Sequence, residues 1–153
     1  MKNWLRIIFV ILLVLVADLV TKHFLFEVEY FNLIPNIISI QGYVENTGVA
    51  GGLLADSGIM VILLSVAMIV ALLVFNYFVK KKTALYCISF GFILGGALGN
   101  LYDRIALSHV RDFIFFDFWP SFPTFNVADS FLCIGAVMLA IYILFSGIEK
   151  KGN

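Results

Sequence analysis

Charge is scarce in this sequence. Only 13% of its 153 residues are Asp, Glu, Lys or Arg, about half the share usual in a soluble domain. Ten basic residues balance ten acidic ones, so no net charge is available to attract nucleic acid. Cysteine occurs twice, as Cys87 and Cys133, each inside an apolar run. There is no CxxC and no Cys/His cluster, hence no disulfide framework and no metal motif. His23 and His109 stand apart without ligand-like spacing, so neither a metal nor a cofactor is expected. No serine lies near a His–acid pair, which removes the nucleophilic triad. The chain also lacks internal repeats and low-complexity tracts.

Apolar residues fill the space that charge leaves. They make up 62% of the chain, and the mean hydropathy is +1.04. A soluble fold of this size buries only about 70% of its unfolded surface, too little to hide so much apolar area. Disorder is excluded too, because 16% of the residues are aromatic. The composition describes an integral membrane protein, residues 1–153 forming one domain.

A spanning helix needs about 20 mostly apolar residues. Four runs qualify: Trp4 to Phe26, Ile59 to Val79, Ala84 to Leu107 and Val127 to Gly147. The first, behind Lys2 and Arg6, has a signal peptide as its rival reading. Asp18 and Lys22 stand where a small-residue cleavage site belongs, so it reads as a helix that stays in the membrane. Lys2 and Arg6, Lys80 to Lys82, and Lys150 with Lys151 all fall on one side of a four-span chain. The segment from Glu27 to Gly58 has no Lys or Arg but contains Glu27, Glu29, Glu45 and Asp56. Positive charge marks the cytoplasmic side, so both termini are expected inside and both long loops outside. Ile38-Ser39-Ile40-Gln41 alternates like a short outer strand. The aromatic stretch from Phe113 to Phe125 reads mainly as a belt at the water–lipid interface.

Ionisable side chains within or beside a span cost at least a few kcal/mol and usually have a partner or a task. Asp18 and Lys22 are four apart with the acid N-terminal, the favourable order for a structural ion pair. Gly91, Gly95 and Gly99 repeat every four residues, with Gly96 beside them, a spacing that lets helices touch backbone to backbone. Asn100, Asp103 and Arg104 follow on the same face, Arg104 reading as a local partner of Asp103. Asn46 opens Asn46-Thr47-Gly48-Val49-Ala50-Gly51-Gly52, which by itself reads as a turn. Asp112 and Asp129 have no cation in helical register, and Arg111 points away from Asp112 if the segment is extended. An acid in a first helical turn, such as Asp129, also suits the helix dipole. Topology points further, because both acids reach the same outer rim by separate routes. Two carboxylates sharing a site cannot both ionise easily, and such a pair can activate water and protonate a leaving group.

In combination these stretches resemble the bacterial lipoprotein signal peptidases (type II signal peptidases). They are Asp18-Leu19-Val20-Thr21-Lys22, Asn46-Thr47-Gly48-Val49-Ala50, Gly95-Gly96-Ala97-Leu98-Gly99-Asn100-Leu101-Tyr102-Asp103-Arg104, Val110-Arg111-Asp112-Phe113 and Phe125-Asn126-Val127-Ala128-Asp129-Ser130. Val49, Gly51 and Arg111 depart from that family's pattern. The resemblance implies a mainly helical membrane protein, a four-helix bundle with a small outward-facing sheet. It implies an intramembrane aspartic peptidase that cuts a prolipoprotein on the N-terminal side of a diacylglyceryl-modified cysteine. Asp112 and Asp129 match the catalytic pair. Asn46, Asn100, Asp103, Arg104 and Asn126 match residues that line or brace the site, and Asp18 and Lys22 the polar pair of the first helix. The implied partners are lipidated prolipoproteins and membrane lipid, met by a monomer in the bacterial inner membrane with its active site at the outer face.

Two other classes compete. A small proton-coupled transporter would account for membrane acids, but carriers usually hold them near mid-bilayer on broken, repeated helices. A structural assembly protein would use the glycine face and leave Asp112 and Asp129 idle.

Overall fold

The computed structural model describes residues 2–47 and 58–149. Four helices are long and apolar enough to cross a membrane: α1 (Lys2–Leu25), α2 (Gly58–Phe78), α3 (Ala84–Leu107) and α4 (Val127–Glu149). They fall on the four apolar runs to within two residues at each end. Three strands, β1 (Phe31–Ile34), β2 (Ile38–Asn46) and β3 (Val110–Phe116), form an antiparallel sheet in the order β1-β2-β3. The sheet is larger than the short alternation at Ile38 predicts. β3 hides from a periodicity search because both its faces are largely covered, so its apolar residues do not alternate.

α3 is the central helix. α1 and α4 pack along it, while α2 leans on α3 and makes no comparable contact with α1 or α4. Its N-terminus is capped by Thr83, whose hydroxyl accepts from the Tyr86 N–H at 3.2 Å. It ends at Ser108, which takes a left-handed conformation (φ 68°) and donates its N–H to the Arg104 carbonyl.

Small residues set the helix spacing. A Cβ on Gly91 would lie 2.7 Å from the Val10 side chain, and one on Gly95 would lie 2.8 Å from Val14. One on Gly99 would collide with the Asp18 carboxylate. The ladder 91, 95, 99 on α3 thus meets 10, 14, 18 on α1, and Lys22 with Asp103 closes the series as an ion pair at 3.2 Å. Gly96 faces the other way, against the Ala128 carbonyl of α4. At the opposite end from the sheet, Tyr86 donates to Asn76 Oδ1 at 2.9 Å and Tyr142 donates to the Lys81 carbonyl. These bonds pin the end of α2 and the lysine linker to α3 and α4.

Leu5, Phe9, Leu63, Tyr77 and Leu144 are among many large apolar residues exposed along the helices. Water would not tolerate such a surface, whereas lipid would solvate it. The aromatic belt reading needs correction for part of its stretch. Phe113 is fully buried within β3, and Phe116, Phe122 and Phe125 cluster with ring centroids 5.0–5.8 Å apart. Phe118 and Trp119 keep the broad exposure that a belt requires.

Candidate active site

Three backbone devices bring the polar residues together. First, β2 and β3 pair with Val44 opposite Asp112 and Asn46 opposite Val110. That register makes Asn46 and Asp112 diagonal neighbours on one face. Asn46 Nδ2 donates to Asp112 Oδ2 at 2.9 Å. Second, Phe125 bridges to Ile114, its N–H and carbonyl both engaged at 3.0 and 2.8 Å. The bridge sets the residue after it, Asn126, beside β3, where Asn126 Nδ2 donates to Asp112 Oδ1 at 2.7 Å.

The third device is a capping box at the start of α4. Asn126 Oδ1 accepts from the Asp129 N–H at 2.9 Å, and Asp129 Oδ2 accepts from the Asn126 N–H at 3.2 Å. One motif therefore starts the helix and aims the Asp129 carboxylate. Its other oxygen, Oδ1, accepts from Asn100 Nδ2 at 2.7 Å. Asn100 Oδ1 in turn accepts from Asn126 Nδ2 at 3.1 Å and from Lys22 Nζ at 3.0 Å.

Behind the two carboxylates lies an ionic layer. Lys22 Nζ sits 2.8 Å from Asp18 Oδ2 and 3.2 Å from Asp103 Oδ2, all three side chains fully buried. Asp18 Oδ1 accepts from the Ala128 N–H in the first turn of α4. The expected Asp18–Lys22 pair is thus real but larger than a pair, reaching α3 and α4. The expected Asp103–Arg104 partnership is not formed. Asp103 takes three hydrogen bonds from Arg111, including Nη2 to Oδ1 at 2.8 Å, because β3 runs back over the end of α3. Arg104 instead directs its charge at Asp129 and Asp112 as well as at Asp103. Sequence reading missed Arg111 as a site-bracing residue. A lone arginine in an apolar strand was the available signal, since such a charge requires a buried acid nearby.

The Asp112 carboxyl is pushed up to about 6. Burial is the main cause. The Asn46 hydrogen bond opposes it, the Asp129 charge adds to it, and the Asn126 bond and Lys22 charge oppose it. Asp112 is buried, while Asp129 opens onto a groove of about 920 Å³. Asn46, Asn100, Arg104 and Asp129 form the polar end of this groove, and mostly apolar residues of α2, α3 and α4, with Val110 and the 122–125 segment, line the rest. Among the described residues no group of His, Cys, Asp and Glu has the arrangement of a metal site. Gly48 to Gly52, with the departures Val49 and Gly51, lie outside the described residues.

The fold and site together define a polytopic membrane protein in which Asp129, linked to Asp112 through Asn126, stands at the polar end of a largely apolar groove. A family model described as signal peptidase (SPase) II matches residues 10–145. A lipoprotein signal peptidase of Pseudomonas fluorescens (strain Pf0-1) is 42% identical, the match covering 93% of this chain and 88% of that one. One from Ectopseudomonas mendocina is 39% identical over 91% and 88%, and one from Caldanaerobacter subterraneus 35% identical over 92% and 97%. Among solved structures, a bacterial membrane enzyme determined by the in meso method at 2.3 Å superposes with a TM-score of 0.82. It is 28% identical, with 96% of this chain and 92% of that one covered. The chain belongs to the signal peptidase II family and is a membrane peptidase. The transporter reading finds no support among these relatives.

Proposed function

We propose that the protein is an aspartic endopeptidase that removes signal peptides from diacylglyceryl-modified prolipoproteins, with Asp112 and Asp129 as its catalytic pair. The carrying observation is their convergence: carboxylates from β3 and α4 meet on the Asn126 and Asn100 amides at the polar end of an apolar groove. Electrostatic coupling supports a shared proton: the Asp129 charge helps to raise the Asp112 carboxyl, as it would in a pair that holds one proton between two acids.

One carboxylate takes a proton from water as the water oxygen attacks the scissile carbonyl carbon. The protonated partner gives its proton to the carbonyl oxygen, and a proton then passes to the departing amine. Asn46, Asn100 and Asn126 orient the two acids without adding charge. Asp103 and Arg111 clamp β3, and Arg104 offsets negative charge at the carboxylates. The groove follows α2 from Val61 to Leu72, about 16 Å of helix, and α2 makes no comparable contact with α4. A substrate whose apolar helix and acyl chains reside in lipid enters laterally through that gap, with its scissile bond at the rim where water is available. Cytoplasmic termini and an outward site follow from the lysine pattern.

Purified protein in detergent, given a lipidated prolipoprotein, is expected to cleave it N-terminal to the modified cysteine. Mass spectrometry of the product checks the position, and cleavage at any other bond overturns the assignment.

A further inference from the structure

We propose that Lys22 is a positioning residue for hydrolysis: its ammonium fixes the Asn100 amide so that only Nδ2 faces Asp129. The proposal rests on the reading of Asp129 as catalytic. An asparagine amide is nearly symmetric in shape, so packing alone does not choose between its two orientations. Hydrogen bonding chooses here. An ammonium can only donate, and Lys22 Nζ is 3.0 Å from Asn100 Oδ1. Asn126 Nδ2 donates to the same oxygen at 3.1 Å, and its own orientation is fixed by the Asp129 backbone N–H, which bonds Asn126 Oδ1. A flipped Asn100 would set its NH2 against two donors and its oxygen against Asp129 Oδ1, which now accepts from Nδ2 at 2.7 Å.

The buried lysine is matched to this task. Nζ donates to Asp18 Oδ2 and to Asn100 Oδ1 and lies 3.2 Å from Asp103 Oδ2 in an ion pair. A structural ion pair needs only the two carboxylates; the bond to Asn100 joins the ionic layer to the reacting one. Lys22 does not line the groove, and Asn100 is the one groove-lining residue to which it hydrogen-bonds among the described residues.

The test uses Asp18→Asn/Lys22→Met in the full-length protein, a charge-balanced pair of changes that leaves Asp103 on Arg111. With a lipidated prolipoprotein in detergent, kcat is expected to fall about tenfold or more, the effect of one charge-assisted hydrogen bond. KM should stay within about twofold and the melting temperature near wild type. In an Asn100→Ala background the same double change should cost under about twofold in kcat, because the amide it orients is absent. A tenfold loss that persists in that background, a change confined to KM, or full activity each overturns the proposal. So does failure of the double variant to fold, since a role in orientation leaves the fold intact. If Asn100→Ala turns over nothing, Asp18→Asn alone decides: it keeps the Lys22–Asn100 bond, so its kcat should stay within about twofold of wild type, and a loss equal to that of the double variant counts against Lys22. Retained cleavage by Asp129→Asn instead brings down the catalytic assignment, whatever the Lys22 variants do.

Discussion

Asn126 serves three groups with one side chain. Its oxygen caps α4, and its nitrogen donates to Asp112 and Asn100. On the proposal that Asp112 and Asp129 form one catalytic unit, Asp112→Asn and Asp129→Asn should each abolish cleavage while the protein stays folded in detergent. Gel-shift assays and melting curves check this, and substantial turnover by either variant refutes the pair. The raised Asp112 carboxyl also makes a stability prediction. Between its ordinary value of 3.8 and about 6, the folded protein keeps a proton that the unfolded chain has lost. Stability from this group is therefore full below the lower value and lost as pH rises through the upper one. The melting temperature of Asp112→Asn minus that of wild type should rise from pH 4 to pH 7. A flat difference would mean that Asp112 titrates like an exposed acid. The two acids and the asparagines were legible as residues, because lipid makes each polar group conspicuous. Which cation serves which acid was not: Asp103 has Arg104 beside it in sequence, yet it binds Arg111 across a turn.

At the scale of elements, the helix pairs are set by what is missing from α3. Gly91 and Gly95 admit Val10 and Val14, and Gly99 admits the Asp18 carboxylate. Gly95→Leu should force α1 away and lower stability by about 1–3 kcal/mol, the usual cost of overpacking. Gly99→Leu should do this and also displace Asp18, losing activity beyond the loss of folded protein. Melting curves beside specific activity separate the two effects. An unchanged melting curve for both would mean that this face meets lipid, not α1. The four-residue glycine spacing announced a close-packed face but not its partner, since such spacing has no address. Gly96, one residue on, serves α4. β3 was harder to read, because β2 and the Phe125 bridge pair its edges while α3 and α1 pack against it, leaving no regular buried–exposed alternation along the strand.

For the molecule as a whole, orientation decides whether the site meets its substrate. With Cys87 and Cys133 replaced by alanine, Asn36→Cys in the turn between β1 and β2 should react with an impermeant thiol reagent from outside intact cells. Lys81→Cys should react only after the membrane is opened. The reverse pattern would turn the carboxylates inward and remove the proposed reaction. What the sequence determined alone is whatever depends on solvent. Lipid admits only long apolar helices and penalises each stray charge, so spans, lysine sidedness and suspect polar residues can be read one run at a time. Fold class, helix limits and the identity of Asp112 and Asp129 as candidates follow from that. Tertiary structure decided whatever depends on which groups end up adjacent. The Val44–Asp112 register, the Ile114–Phe125 bridge and the packing of α1 on α3 bring Asn46, Asn126 and Lys22 to the carboxylates. Contacts spanning 66, 14 and 78 positions arise from pairing and packing across the whole chain, and no local pattern encodes them.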